Sequence, residues 1–317
     1  GGFMKELFRI NTKFYKIYNL IIRSEILLHY SLIISNPIEN NYDVEILFGE
    51  ITKDDEKLLY DYGIFKYYKN RINITIKDVA SYDIINGRKI VIEPIENADI
   101  NEISKYTCGS CLGLLLLQRN TIALHGGALC INDSGVVISG NIGAGKSTLV
   151  ANFINMGYSF LSDDVSAIII SENNKNYLTH SFPQQKLCKN TALSLGYDLS
   201  KLYQIDKIKN KYYSPIISNF STTPCEFKYF FYISCGDYPK LDIKEIIGVE
   251  KFRTILSNIY RIEVIPKKLL SPIYIKNCVN LSKNIKMFKI NRPKNIDTLS
   301  EITSLILNSI NNERSTP

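Results

Sequence analysis

The sequence predicts an α/β chain, α+β overall, in which a phosphate-loop core follows a β-rich N-terminal domain. Three observations carry this expectation. The first hundred residues hold short alternating or β-branched runs separated by turn residues. A glycine-rich octet, Gly140–Ser147, follows an apolar strand pattern and opens a helical one. An acidic pair, Asp163-Asp164, then falls between two further apolar runs.

In the first region, Asp43–Phe48, Ile72–Asp78 and Ser81–Ile85 read as strands, and Asn86-Gly87 supplies a type I′ turn into Lys89–Glu93. Residues 103–119 read as one buried apolar helix. Two extended runs follow, Ile122–Asn132 and Gly135–Ser139, joined at Asn132-Asp133-Ser134-Gly135. A helix is expected from Lys146 to about Met156, stopped by Gly157. Strands are expected at Ser159–Leu161, Val165–Ile170, Glu226–Ser234 and Lys286–Ile290. Helices are expected at Val249–Tyr260 and Thr298–Leu307, with a frayed tail over Asn311–Pro317. The domains are read as 4–102 (β-rich) and 103–317 (phosphate-loop core). Gly1-Gly2-Phe3 ahead of Met4 reads as an appended remnant, and the opening residues do not read as a secretory signal.

Composition narrows the function classes. With 45% hydrophobic and 22% charged residues, the 317-residue chain fits an ordinary globular protein. Its strongest apolar run, Leu112–Leu117, is far too short to span a bilayer, so no membrane partner is expected. The net charge of +7 comes from lysines spread along the chain, without the clustered basic and aromatic pattern of a nucleic-acid platform. Seven cysteines include one C-x-x-C pair, Cys108 and Cys111, which lacks the second pair or histidines of a zinc site. Buried reduced thiols and a cytoplasmic location are the corresponding expectation.

The octet Gly140-Asn141-Ile142-Gly143-Ala144-Gly145-Lys146-Ser147 fits G-x-x-x-x-G-K-[ST], with Thr148 completing the Lys-Ser-Thr run. Glycines let successive backbone N–H groups turn inward, and the following helix presents its positive end. Lys146 is placed to reach the β- and γ-phosphates and the Ser147 hydroxyl to ligate Mg²⁺. These nine residues, 140–148, are the expected nucleotide-binding set, with ATP or another nucleoside triphosphate and Mg²⁺ as cofactors. The chain lacks the separate apolar strand ending in a Mg²⁺-binding Asp that motor, GTPase and ATPase proteins carry. The first acidic residues after an apolar stretch are Asp163 and Asp164, which suggests a short, local active site.

Adjacent carboxylates on a strand point to opposite faces, so both reach one ligand only where the chain bends. A carboxylate there accepts a substrate hydroxyl proton, and its neighbour acts through Mg²⁺. His125, in "IALHGGALCI", precedes two glycines that permit close backbone approach, which weakens its reading as an ordinary core histidine.

The set "LHGGA", "SGNIGAGKST" and "GYSFLSDDVSAI" resembles the catalytic domain of HPr kinase/phosphorylase, a core of HPr-kinase/PEP-carboxykinase type. It looks closer still to the HPr-kinase-like proteins of modified-peptide clusters, such as lasso-peptide kinases. The order is the same: His-Gly on a strand, the phosphate loop 21 residues on at Lys146, and Asp164 18 residues beyond that. Weaker likeness extends to "SFPQQKLCKNTALSLGYD" from Ser181, with its Pro-x-x-(Lys/Arg)-Leu spacing, and to "LSNIYRIEVI" from Leu256, a helix containing Tyr-Arg. The resemblance implies Asp164 as catalytic base, Asp163 as second carboxylate and metal ligand with Ser147, and Lys146 as the phosphate-neutralising cation. It implies His125 as an orienting group and Arg261 as a stabiliser of transferred charge. Glu172 is the nearest residue for the glutamate that binds Mg²⁺ in that family. The basic loop tied to phosphorolysis is missing, and the N-terminal region differs, which argues against HPr itself as acceptor.

The reading is an ATP- and Mg²⁺-dependent kinase acting on a Ser/Thr hydroxyl of a peptide or protein, with homo-oligomerisation left open. Two rivals are a nucleotide-binding regulatory module without transfer activity and a kinase for a small hydroxylated metabolite.

Overall fold

Alternation of apolar and polar residues in the first hundred positions becomes one sheet of eight strands. The computed structural model describes residues 12–51, 56–206 and 210–312. These fall into two units, one from residues up to 123 with 260–275, the other from 124–259 with the residues from 276 on.

The first unit's strands are β1 (Lys13–Ile17), β2 (Leu20–Ser24), β3 (Val44–Phe48), β4 (Tyr60–Tyr62), β5 (Phe65–Tyr67), β6 (Arg71–Ile76), β7 (Ala80–Ile85) and β8 (Lys89–Pro94). Their spatial order is β1-β2-β3-β8-β7-β6-β5-β4. Asn86 and Gly87 both take positive φ, 53° and 64°, as the β7–β8 turn requires. Ile46, Ile74, Tyr82, Ile84, Ile90 and Ile92 are fully buried. Helices α1 (Ile100–Tyr106) and α2 (Leu112–Gln118) run on through a π turn at Thr107–Cys111. They belong with this sheet: the Gln118 amide accepts from Gly87 N (2.7 Å) and donates to Ile84 O (3.1 Å). The first unit thus includes these helices, up to residue 123.

The second unit holds β9 (Ile122–His125, shared at the unit boundary), β10 (Gly127–Ile131), β11 (Ser134–Gly140), α3 (Lys146–Asn155), β12 (Ser159–Ser162), β13 (Val165–Ile170), β14 (Asn176–Leu178), β15 (Gln184–Cys188), α4 (Lys189–Ser194), β16 (Tyr203–Asp206), β17 (Lys211–Pro215), β18 (Cys225–Gly236), β19 (Asp242–Glu245), α5 (Val249–Ser257), α6 (Pro272–Asn284), β20 (Lys286–Pro293) and α7 (Leu299–Asn311). The main sheet runs β12-β10-β11-β18-β14-β13-β9, with β20 beside β18 and β19 beside β20. Strand β18 is its spine, parallel to β11 and to β20. One sheet face packs Val136, Ile138, Phe231, Ile233 and Ile290 against Phe153 of α3 and Ile302, Ile306 and Ile310 of α7. A small antiparallel sheet, β15-β17-β16, stands apart.

Four expectations are corrected. The run Ile122–Asn132 is two strands, β9 and β10, on different sides of β11; the chain breaks at Gly126, where a Cβ would lie 2.6 Å from Ile138 O. The helix expected to Tyr260 ends at Ser257, because Tyr260 leaves to lay its ring over Gly113 in the first unit. Cys130 and Cys225 form a disulfide rather than reduced thiols: 95 residues apart in sequence, they sit on strands flanking β11, with Cα atoms 6.1 Å apart. That removes the cysteine-based ground for a cytoplasmic location. Residue Asn311, expected in the frayed tail, closes α7, while the rest of that tail from residue 313 lies outside the described residues. Among the described residues, no helix is long and apolar enough to cross a membrane.

Candidate active site

The phosphate loop grows out of β11. Gly140 pairs with Ile233, and a Cβ there would lie 2.1 Å from Ile233 O, so only glycine fits this approach. Asn141 fastens the loop to β18, its amide donating to Cys235 O (3.1 Å) and accepting from Cys235 N (3.0 Å). Gly143 and Gly145 take φ of 78° and 87°, which turns the loop into α3. Gly145 is the helix N-cap, so the first-turn N–H groups and the positive end of α3 face the loop mouth. Ile142 is fully exposed at the loop tip. Lys146 folds back, its Nζ donating to Gly140 O (2.7 Å) and Asn141 O (3.1 Å). Burial pulls its pKa down, with Asp164 and Asp163 acting in the opposite sense. Behind it, Ser147 O accepts from the Gln185 amide (2.7 Å) and Thr148 Oγ1 meets Thr191 Oγ1 (3.0 Å).

The acidic pair occupies the bend between β12 and β13. Asp164 has φ 61°, a left-handed conformation that aspartate, with a short polar side chain, adopts in turns. That twist provides the bend both carboxylates need to serve one site. Lys186 on β15 engages both: its backbone N–H donates to Asp163 Oδ2 (2.8 Å) and its Nζ to Asp164 Oδ2 (2.6 Å). The two carboxyls are driven apart in acidity. Burial, then the charge of Asp164, pushes Asp163 up to about 7. Burial also raises Asp164, but Lys186, His125 and Lys211 together outweigh it and bring that carboxyl down to about 2. The Asp164 side chain keeps 35% of its surface open to solvent.

His125 ends β9 beside this bend. Its N–H donates to Asn258 O (2.7 Å), and the next residue, Gly126, donates to Asp164 O (3.2 Å). Ser139 Oγ shares its proton between His125 O (2.6 Å) and Asn258 Oδ1 (2.7 Å). Thus Lys146, Asp163, Asp164 and His125, chosen from sequence, share one electrostatic neighbourhood. Arg261 lies in the first unit at a left-handed φ of 61°, not on a helix, and its guanidinium engages Ser110 (3.1 Å) and Glu263 (3.7 Å). Glu172 sits in the turn after β13, separated from Asp164 by the whole strand, about 25 Å of extended chain, so it cannot share a metal with the pair.

Sequence reasoning missed Lys186 and Lys211 as cations of the site, and also Arg292. From β20, Arg292 donates to Ala144 O (3.2 Å) in the loop and to Ile296 O (3.2 Å), bracing the cradle from behind. The lysine in "PQQKL" was the one available signal. Among the described residues, no group of three or more His, Cys, Asp or Glu side chains could hold a metal alone. The donor set present, Ser147 with the acidic pair, suits Mg²⁺, which takes few protein ligands and shares the rest with phosphate and water.

No protein-family model matches the chain, and no curated protein matches it. Among solved structures, it is similar to the HPr(Ser) kinase/phosphatase from Coxiella burnetii, at 17% identity and a TM-score of 0.32, over 61% of this chain and 90% of that one. So distant a likeness carries no weight for function, which rests on the site's own geometry.

Proposed function

We propose that the chain is an ATP- and Mg²⁺-dependent phosphotransferase that moves a γ-phosphoryl group onto an alcohol, a Ser/Thr hydroxyl of a peptide or protein. The observation that carries this is the acidic bend: a carboxylate aimed by Lys186, within electrostatic reach of the phosphate-loop lysine and of His125. A module that only held nucleotide would need no general base beside the loop.

Loop N–H groups and Lys146 receive the phosphates, with Lys146 exchanging the Gly140 and Asn141 carbonyls for phosphate oxygens. Ser147 and Asp163 would hold Mg²⁺, which supplies charge neutralisation on the transferred group. Asp164 takes the proton of the acceptor hydroxyl as its oxygen bonds to the γ-phosphorus and the bond to the β-phosphate oxygen breaks, releasing ADP. Lys186 must let go of Asp164 for this, and an incoming phosphate offers it a new anion. His125 orients the acceptor. A ribosomally made precursor peptide is the preferred acceptor class.

The test incubates the full chain with labelled ATP and a panel of Ser/Thr peptides, free serine and nucleosides. Label on a peptide, lost in Asp164→Asn while ATP binding persists, is expected. Unchanged turnover in Asp164→Asn would overturn the mechanism, and label on a free metabolite alone would replace the peptide by a small-molecule acceptor.

A further inference from the structure

The sheet face opposite the α3–α7 core carries a cleft of about 430 Å³ between β18, β19, β20 and α5, within the size range of small-ligand sites. Its floor is one cross-strand row. Ser139, the residue before the phosphate loop, pairs with Tyr232, Tyr232 with Lys289, and Lys289 with Lys244 at the sheet edge. The far wall is α5, ending in Ser257 and Asn258. Asn258 accepts from the His125 N–H, so the cleft shares a wall with the catalytic neighbourhood.

The charges along this row are unequal. Lys244 at the rim is paired with Asp242 (3.3 Å), and the rim carboxylate Glu250 is paired with Arg253 (2.7 Å). Deeper in, Lys289 is half-buried and, among the described residues, has no carboxylate within salt-bridge distance. The neighbouring Tyr232 hydroxyl, also half-buried, makes no hydrogen bond among them. An ammonium with no carboxylate partner is open to an anionic ligand group. Ammonium and phenol side by side offer donors to a single carboxylate, and the α5 wall adds the Thr254 side chain beside them.

We infer that this cleft receives the acceptor, and that the acceptor carries a carboxylate close to the hydroxyl that is phosphorylated. The carboxylate binds Lys289 and Tyr232, and the hydroxyl lies toward His125 and Asp164. The inference rests on the kinase reading for the word acceptor. The shared chemistry could come from an acidic residue beside Ser/Thr in a peptide or from a small hydroxy acid.

The experiment measures binding and transfer separately on the full chain with Mg²⁺. Calorimetry with a non-hydrolysable ATP analogue present compares capped Ser-Asp with its neutral isostere Ser-Asn, and D-glycerate with glycerol. An affinity at least ten-fold higher for the acid of either pair is expected. Lys289→Met should abolish that preference, Lys289→Arg should keep it, and neither should weaken binding of the ATP analogue. Whichever pair shows the preference identifies the source of the carboxylate. Equal affinities within both pairs, or a preference that survives Lys289→Met, would overturn the inference even if phosphate is transferred, leaving the kinase reading intact. Loss of ATP-analogue affinity in Lys289→Met would overturn it by giving the cleft to the nucleotide. A carboxylate preference lost in Lys289→Met, with no transfer from ATP to any probe, would keep the cleft and remove the kinase reading.

Discussion

In each unit a cation–carboxylate pair on strands has a further carboxylate beside it, and the two pairs are built to opposite ends. In the first unit, the Arg71 guanidinium meets both oxygens of Asp83 (3.3 and 3.4 Å), Glu56 (3.3 Å) and the face of Tyr68 (4.0 Å), while Asn73 donates to Asp83 (2.8 Å). Arg71 is 6% exposed and Asp83 wholly buried. Donors and acceptors there are spoken for, so the pair serves the fold. In the second unit, Lys186 brings a single point charge to one oxygen of Asp164, and burial with the charge of Asp164 pushes the neighbouring Asp163 up to about 7. Fork geometry closes a site, whereas an ammonium on a flexible stem can be drawn off by a stronger anion. Saturation marks the pair of the first unit, and a second carboxylate beside the ion pair marks the one that the proposed function uses.

The sharpest way to break this contrast is at Asp164. Asp164→Asn should lower transfer by about 10²–10⁴-fold, the usual worth of a general base, with ATP affinity unchanged in a fluorescent-analogue titration. The matching change in the first unit, Asp83→Ala, should strand a buried guanidinium and cost about 3–5 kcal/mol, read from urea unfolding. If both variants lost only stability, the distinction between the pairs would fall. Cys225→Ser should lower stability by about 2–4 kcal/mol, with reductant reproducing the effect in the parent chain and changing nothing in the variant.

Acidity offers the finest test. Transfer should climb about ten-fold from pH 6 to pH 8 as Asp163 ionises through a pKa of about 7, and Asp163→Asn should remove that limb. Stability without nucleotide should move the other way. Folding raises the Asp163 pKa, so its contribution is complete below the unfolded value near 3.8 and fades as pH rises to about 7. Asp164 has the opposite sign, contributing above its unfolded value and losing that contribution as pH falls through about 2. A stability curve between pH 4 and 7 that Asp163→Asn leaves unaltered would show that the pair's asymmetry is not felt.

Legibility followed the range of the interaction. The glycine-rich turn from β11 into α3 could be read because its conformation depends on nearby glycines and the helix that follows. The acidic pair could be read from its distance to Lys146, and the bend was named in advance as the condition for its use. Lys186, Lys211, Asn258 and Arg292 reach the site from strands and a helix end remote in sequence, and one lysine looks like another until the sheet is assembled. Arg261 was misplaced because the apolar periodicity of α5 runs on past Ser257, and only the seat for Tyr260 over Gly113 shows why the helix stops. The Cys130–Cys225 link was hidden for the same reason: the strand order that unites it is not written locally.

That link has a topological result. It closes a covalent ring from residue 130 to residue 225, and the phosphate loop, the acidic bend and the Lys186 strand all lie on it. A single cut inside the ring, at the widely exposed Lys201 for instance (82% of its side chain open), opens the circle without releasing either fragment. On a denaturing gel such a nicked chain should migrate as one species until reductant splits it in two.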